Sequence, residues 1–88
     1  MISSNDYNIL LVFYNNKCTN EKNALIIKQI QEETHISIST IRKTLFLLTD
    51  LEYINKGFKH WKASSYFITE KGINYVNKLD QNQNLQGA

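Results

Sequence analysis

At 88 residues, with no proline and an apolar fraction of 42 %, the chain can build one packed core but not two. A net charge of +2 on such a composition excludes a disordered polyelectrolyte. The longest apolar run, Ile9 to Tyr14, is far too short to span a membrane, and no charged segment leads into a cleavable apolar one. Cys18 is the single cysteine, so no internal disulfide forms, and with only His35 and His60 beside it there is no metal-ligand set. The expectation is a reducing, intracellular (cytoplasmic) location and a protein with no cofactor and no small-molecule ligand.

The chain opens on a polar start in which Ser4 or Asn5 is the candidate helix cap. Tyr7 to Tyr14 then reads as a short helix that is apolar on most sides, as in a helix that is deeply buried or shared with a partner chain. Asn15 to Asn20 is a loop by composition. Thr19 or Asn20 caps a second helix over Glu21 to Glu33, where Ala24, Ile27 and Ile30 recur at spacings of three. A break near Thr34-His35 leads to Ser37, a good N-cap, and to a third helix through Leu48. At about 3.6 residues per turn, Ile41, Leu45 and Leu48 of this helix stack on one side, while Ser39 and Lys43 point away, flanked by Thr40 and Arg42. Two helices joined by so short a turn form a helix-turn-helix.

After Leu48 the period changes. Tyr53-Ile54 begins an extended segment, and Ser65 to Thr69 alternates as a strand; the two make a β-hairpin with a cationic tip. Thr69 caps a last helix from Glu70 to about Asp80, with Ile73, Val76 and Leu79 on one side. Residues 81–88 lack periodicity and read as a disordered tail, so the expected domain is residues 4–80.

Charge is unevenly placed. No acid occurs between Thr34 and Thr49, and from Tyr53 to Thr69 there are three lysines, Lys56, Lys59 and Lys62, and again no acid. Asp50 and Glu52 lie between these zones. Two basic patches on a small domain are the footprint expected of a nucleic-acid binder.

Three segments carry a resemblance. Ile36-Ser-Ile-Ser-Thr-Ile41 resembles the entry to the recognition helix of the winged helix-turn-helix family of DNA-binding domains. Leu48-Thr-Asp-Leu-Glu-Tyr-Ile54 is similar to the exit of that helix into the wing. Tyr66-Phe-Ile-Thr-Glu-Lys-Gly72 resembles the segment that closes the wing and opens the final helix in many small bacterial, archaeal and viral repressors. The likeness spans roughly Tyr7 to Leu79. It departs from the family pattern at His35, which stands where a turn glycine is frequent, at Gln31 in place of a small residue, and at Glu52-Tyr53, where a glycine is common. The implied fold is mainly α with a small β-hairpin, in the order α-α-α-β-β-α.

The resemblance implies duplex DNA as the partner. Arg42 is the candidate for a bidentate contact with guanine, unless it pairs with Glu33 or another surface acid instead, and Lys43 for a phosphate. Ser37, Ser39 and Thr40 either contact DNA or serve only the first-turn hydrogen bonds. Phe46 either packs under the wing or touches a thymine methyl. Lys56 and the tip residues Lys59, His60, Trp61 and Lys62 would lie along an adjacent groove or backbone. Tyr7, Leu10, Leu11 and Tyr14, with Ile73, Val76 and Leu79, are the candidates for a homodimer contact. Nothing has the pattern of a catalytic site: no glycine-rich phosphate loop occurs, and Cys18 has no neighbouring histidine or acid in sequence. Transcriptional regulation is the leading role. Alternatives are an accessory factor of a plasmid or virus in replication, conjugative transfer or partition, and a winged-helix adaptor that binds protein rather than DNA.

Overall fold

The computed structural model describes residues 2–58 and 63–86. Helix α1 (Ser4–Asn15) is followed by a 3-10 turn (Glu21–Asn23), strand β1 (Leu25–Ile26), α2 (Ile27–Thr34), α3 (Ile38–Asp50), β2 (Ile54–Lys56), β3 (Ser65–Ile68) and α4 (Glu70–Gln86). The mainly α fold with a β-hairpin is present, with an added strand: β3 lies between β1 and β2, antiparallel to both, in a three-stranded sheet.

That strand corrects the expected second helix. Asn20 does act as a cap, its side chain accepting from the backbone of Lys22 and Asn23, but it nucleates only the 3-10 turn. Ala24 is already extended, and Leu25 and Ile26 pair with Tyr66 and Ser65 of β3. The β-branched Ile26 favours the extended chain, and the edge of β3 supplies the partner that a single segment cannot show. Helix α2 starts only at Ile27, where Gln29 reaches back to accept the Ile26 N–H at 3.0 Å.

The other boundaries shift for local reasons. Ser3, not Ser4 or Asn5, caps α1 in a reciprocal capping box: its hydroxyl accepts the Asp6 N–H while Asp6 accepts the Ser3 N–H. Ser37 caps α3 as expected, and Thr69 caps α4, accepting the Gly72 N–H at 3.1 Å. Helix α4 runs through Gln86 rather than stopping near Asp80. Glutamines and Leu85 propagate a helix, and no breaker occurs before Gly87.

The core is one cluster. Ile9, Leu10 and Phe13 of α1 meet Ile30 of α2, Ile41, Leu45 and Leu48 of α3, Ile54 and Ile68 of the sheet, and Val76 of α4, all essentially inaccessible. The inward side expected for α3 is therefore the observed one. Helix α1 is apolar on most sides because it packs against α2, α3, α4 and β3 at once.

Gly72 explains its motif. A Cβ there would sit 2.3 Å from the Tyr53 carbonyl oxygen and 2.8 Å from Ile68 Cγ1, so α4 can begin against the exit of α3 only with a bare backbone. Thr69 holds the same junction, its N–H bonding to Tyr53 O at 2.9 Å and its hydroxyl donating to Glu52 O at 2.6 Å.

Candidate nucleic-acid interface

The helix-turn-helix is built by α2 and α3. Helix α2 ends on His35, whose left-handed backbone (φ 57°, ψ 21°) turns its N–H onto Gln31 O. The turn takes the geometry that a glycine would adopt, imposed on a histidine. Helix α3 then begins at Ile38 with its inward residues buried and a continuous outward face of exposed Ser39, Arg42, Lys43, Phe46 and Asp50.

Ser37 and Thr40 are largely occupied by the helix start. The Ser37 hydroxyl accepts the Thr40 N–H and donates to Thr40 Oγ1 at 2.9 Å. Of the predicted hydroxyls, Ser39 is the exposed one best placed on the outward face. Glu33, the alternative partner for Arg42, is taken by Asn16 Nδ2 at 3.1–3.2 Å, which leaves Arg42 on the exposed face. Phe46 is not covered by the described residues: it is 81 % exposed, the most exposed large apolar residue among them. Its position on the outward side of α3, opposite Leu45 and Leu48, is the reason.

Between α3 and the sheet runs an open groove of about 980 Å³. Arg42 from α3 and Lys56 from β2 both line it, so the helix and the base of the wing meet on one surface. Lys28, at the start of α2, joins them; it was not singled out from sequence, because only the α2–α3 crossing brings it there. Asp50 and Glu52 also line the groove, on the C-terminal side of α3, so its electrostatics are graded rather than uniformly positive. Lys59, His60, Trp61 and Lys62 lie outside the described residues.

The position of α3 is secured from behind. Thr44 is buried, and its hydroxyl donates to Asp6 Oδ1 at 2.5 Å, tying the middle of α3 to the capping box of α1. Partial burial pushes the Asp6 carboxyl up, but the hydrogen bonds from Thr44 and from the backbone and side chain of Ser3 outweigh it and hold the group below its ordinary value.

The expected dimer residues divide. Leu10 and Val76 are fully buried within one chain, so they belong to the core and have no surface to offer a partner. Tyr7, Leu11, Tyr14, Ile73 and Leu79 are half-buried and keep accessible area. Tyr14 also joins α1 to α4, donating to Asn77 Oδ1 at 2.6 Å.

Among the described residues, the groove is lined by no histidine or cysteine. Burial, then the neighbouring Glu33 carboxylate, pushes the Cys18 thiol up, which makes it a poor nucleophile at neutral pH. Among the described residues no cluster of His, Cys, Asp and Glu could hold a metal ion, and no helix is long and apolar enough to cross a membrane.

No family model matches the chain. It is 26 % identical over 78 residues to the DNA-binding protein TubR of Clostridium botulinum C phage, covering 89 % of this chain and 96 % of that protein. TubR from Bacillus megaterium pBM400 superposes with a TM-score of 0.79 at 24 % identity, over 89 % of this chain and 86 % of that one. Streptococcus pneumoniae FabT, solved in complex with DNA, superposes with a TM-score of 0.65 at 18 % identity, over 98 % of this chain and 59 % of FabT. Helix order, the turn between α2 and α3, the sheet and these neighbours agree: the chain has the winged helix-turn-helix fold.

Proposed function

We propose that the chain binds duplex DNA sequence-specifically, with α3 in the major groove and the wing along the adjacent groove or backbone. The observation that carries the reading is the shared groove: Arg42 on the free face of α3 and Lys56 on the wing line it together, with Lys28 beside them. Ser39, Arg42 and Lys43 supply hydroxyl and cationic donors for base edges and phosphates, and the sequence between β2 and β3 adds Lys59, His60, Trp61 and Lys62. The phage relative, named as a DNA-binding protein and matched over nearly its full length, supports the same reading. The protein acts as a homodimer through the half-buried apolar side chains of α1 and α4, since one small module covers little DNA.

The role is that of a transcriptional regulator or of an accessory factor of a mobile element. The phage origin of one relative and the pBM400 origin of another favour the second.

Titration of duplex DNA at increasing salt tests the proposal. A contact with several phosphates makes log K fall linearly and steeply with log salt. Replacing Lys56, Lys59 and Lys62 by alanine weakens all duplexes alike and flattens that slope, whereas Arg42→Ala relaxes preference at one base pair by about 1–3 kcal/mol. Affinity indifferent to salt and to all four substitutions would instead identify a protein-binding adaptor.

A further inference from the structure

We propose that Phe46 is a specificity-determining residue that reads the methyl group of a thymine about two base pairs from the base contacted by Arg42. The inference rests on the DNA-binding reading above and adds to it the identity of a second base.

Its basis is an exposure that the fold does not explain. Phe46 is 81 % exposed, although the protein has an apolar core and the neighbouring Leu45 and Leu48 are buried in it. A phenyl ring held in water is costly unless something covers it. The ring stands on the same outward face as Ser39, Arg42 and Lys43, one turn further along α3. Charge identifies what covers that face. Ser39, Arg42 and Lys43 are hydroxyl and cationic, and Phe46 lines the groove with Arg42, Lys28 and Lys56, which outnumber its two acids, Asp50 and Glu52, a setting that attracts a polyanion away from the C-terminal end of α3. A polyanion presents little for a phenyl ring to bury against. At the base edges of the major groove the exception is the thymine C5-methyl.

Spacing sets the register. Four residues along an α-helix advance about 6 Å, close to two base-pair steps of 3.4 Å. Phe46 is four residues after Arg42, so the two side chains read bases about that far apart. Asp50, a further turn along the same face, is repelled by phosphate and marks where α3 leaves the groove. Phe46 is thus the last apolar residue of the outward face before that limit.

The test uses the full chain and the duplex that it enriches from a random-sequence pool, with each thymidine of that duplex replaced in turn by deoxyuridine, which removes only the methyl group. One such replacement, about two base pairs from the position where Arg42→Ala relaxes preference, weakens binding about fourfold, the value of one buried methyl group. Phe46→Ala binds the thymidine and deoxyuridine duplexes equally, while Phe46→Leu keeps part of the difference. Because the ring is exposed, both variants retain the thermal midpoint of the parent, so their losses report binding. If the chain enriches a duplex but every deoxyuridine copy binds Phe46→Ala and parent with the same ratio, the Phe46 assignment is overturned and the DNA-binding reading stands. If no duplex is bound with steep salt dependence, both fall.

Discussion

Three residues carry a backbone conformation that their side chains disfavour. Lys17, His35 and Glu52 have φ of 56°, 57° and 66°, and no described glycine has a positive φ. Each follows a helix. After α1, the Lys17 N–H bonds to Tyr14 O and the Cys18 N–H to Phe13 O; after α3, the Glu52 N–H bonds to Thr49 O and the Tyr53 N–H to Leu48 O. Both are Schellman closures, and α2 ends in the simpler left-handed form at His35. A left-handed L-residue costs roughly 1–2 kcal/mol, part of which a glycine returns through unfolded-chain entropy. Lys17→Gly and His35→Gly are each expected to raise stability by about 0.5–1 kcal/mol in urea unfolding, additively because the sites share no partner. Glu52→Gly has a second effect, since it also removes an acid from the groove.

At the scale of elements, the link that matters is α1 to α3 through Asp6 and Thr44. It spans 38 positions and sets the middle of α3 against the first turn of α1. Thr44→Val and Asp6→Asn are each expected to lower stability by about 1 kcal/mol, at the low end for a charged hydrogen bond because the carboxylate remains largely open to solvent. A double-mutant cycle measures the coupling. The pH dependence has a definite sign. The folded-state value of Asp6 is lowered, so its contribution is present above the ordinary carboxylate range and is lost as pH falls through the lowered folded value. The difference in stability between the parent and Asp6→Asn therefore shrinks on acidification, which urea titrations at stepped pH would measure. Growth of the gap at acid pH would contradict the arrangement.

At the scale of the whole molecule, core and surface compete for the same apolar residues. Leu10 and Val76 serve the core, and truncating Leu10 to alanine should cost about 2–5 kcal/mol in a monomer or a dimer. Leu11 and Leu79 are half-buried and belong to the proposed twofold contact. Leu11→Lys and Leu79→Lys together are expected to halve the mass found by sedimentation while the helical spectrum is retained. They should also weaken DNA binding through the lost second module. A parent chain that sediments as a monomer at all concentrations would remove the dimer from the proposal.

The sequence by itself determined whatever depends on neighbours a few residues away. The inward side of α3, the Ser37 and Thr69 caps and the break near His35 follow from the 3.6-residue period and from short-range hydrogen bonds, and the wing-closing motif around Gly72 was legible through its family resemblance. Only the tertiary structure decided what depends on distant partners. Leu25-Ile26 became a strand because β3 offered its edge, and Leu10 became core rather than interface because four elements close over α1. Lys28 joined the groove because α2 crosses α3, and Phe46 was left in water because nothing described reaches across to cover it. Local periodicity says which side of a helix is apolar, but only the packed arrangement says whether that side, or its opposite, has been covered.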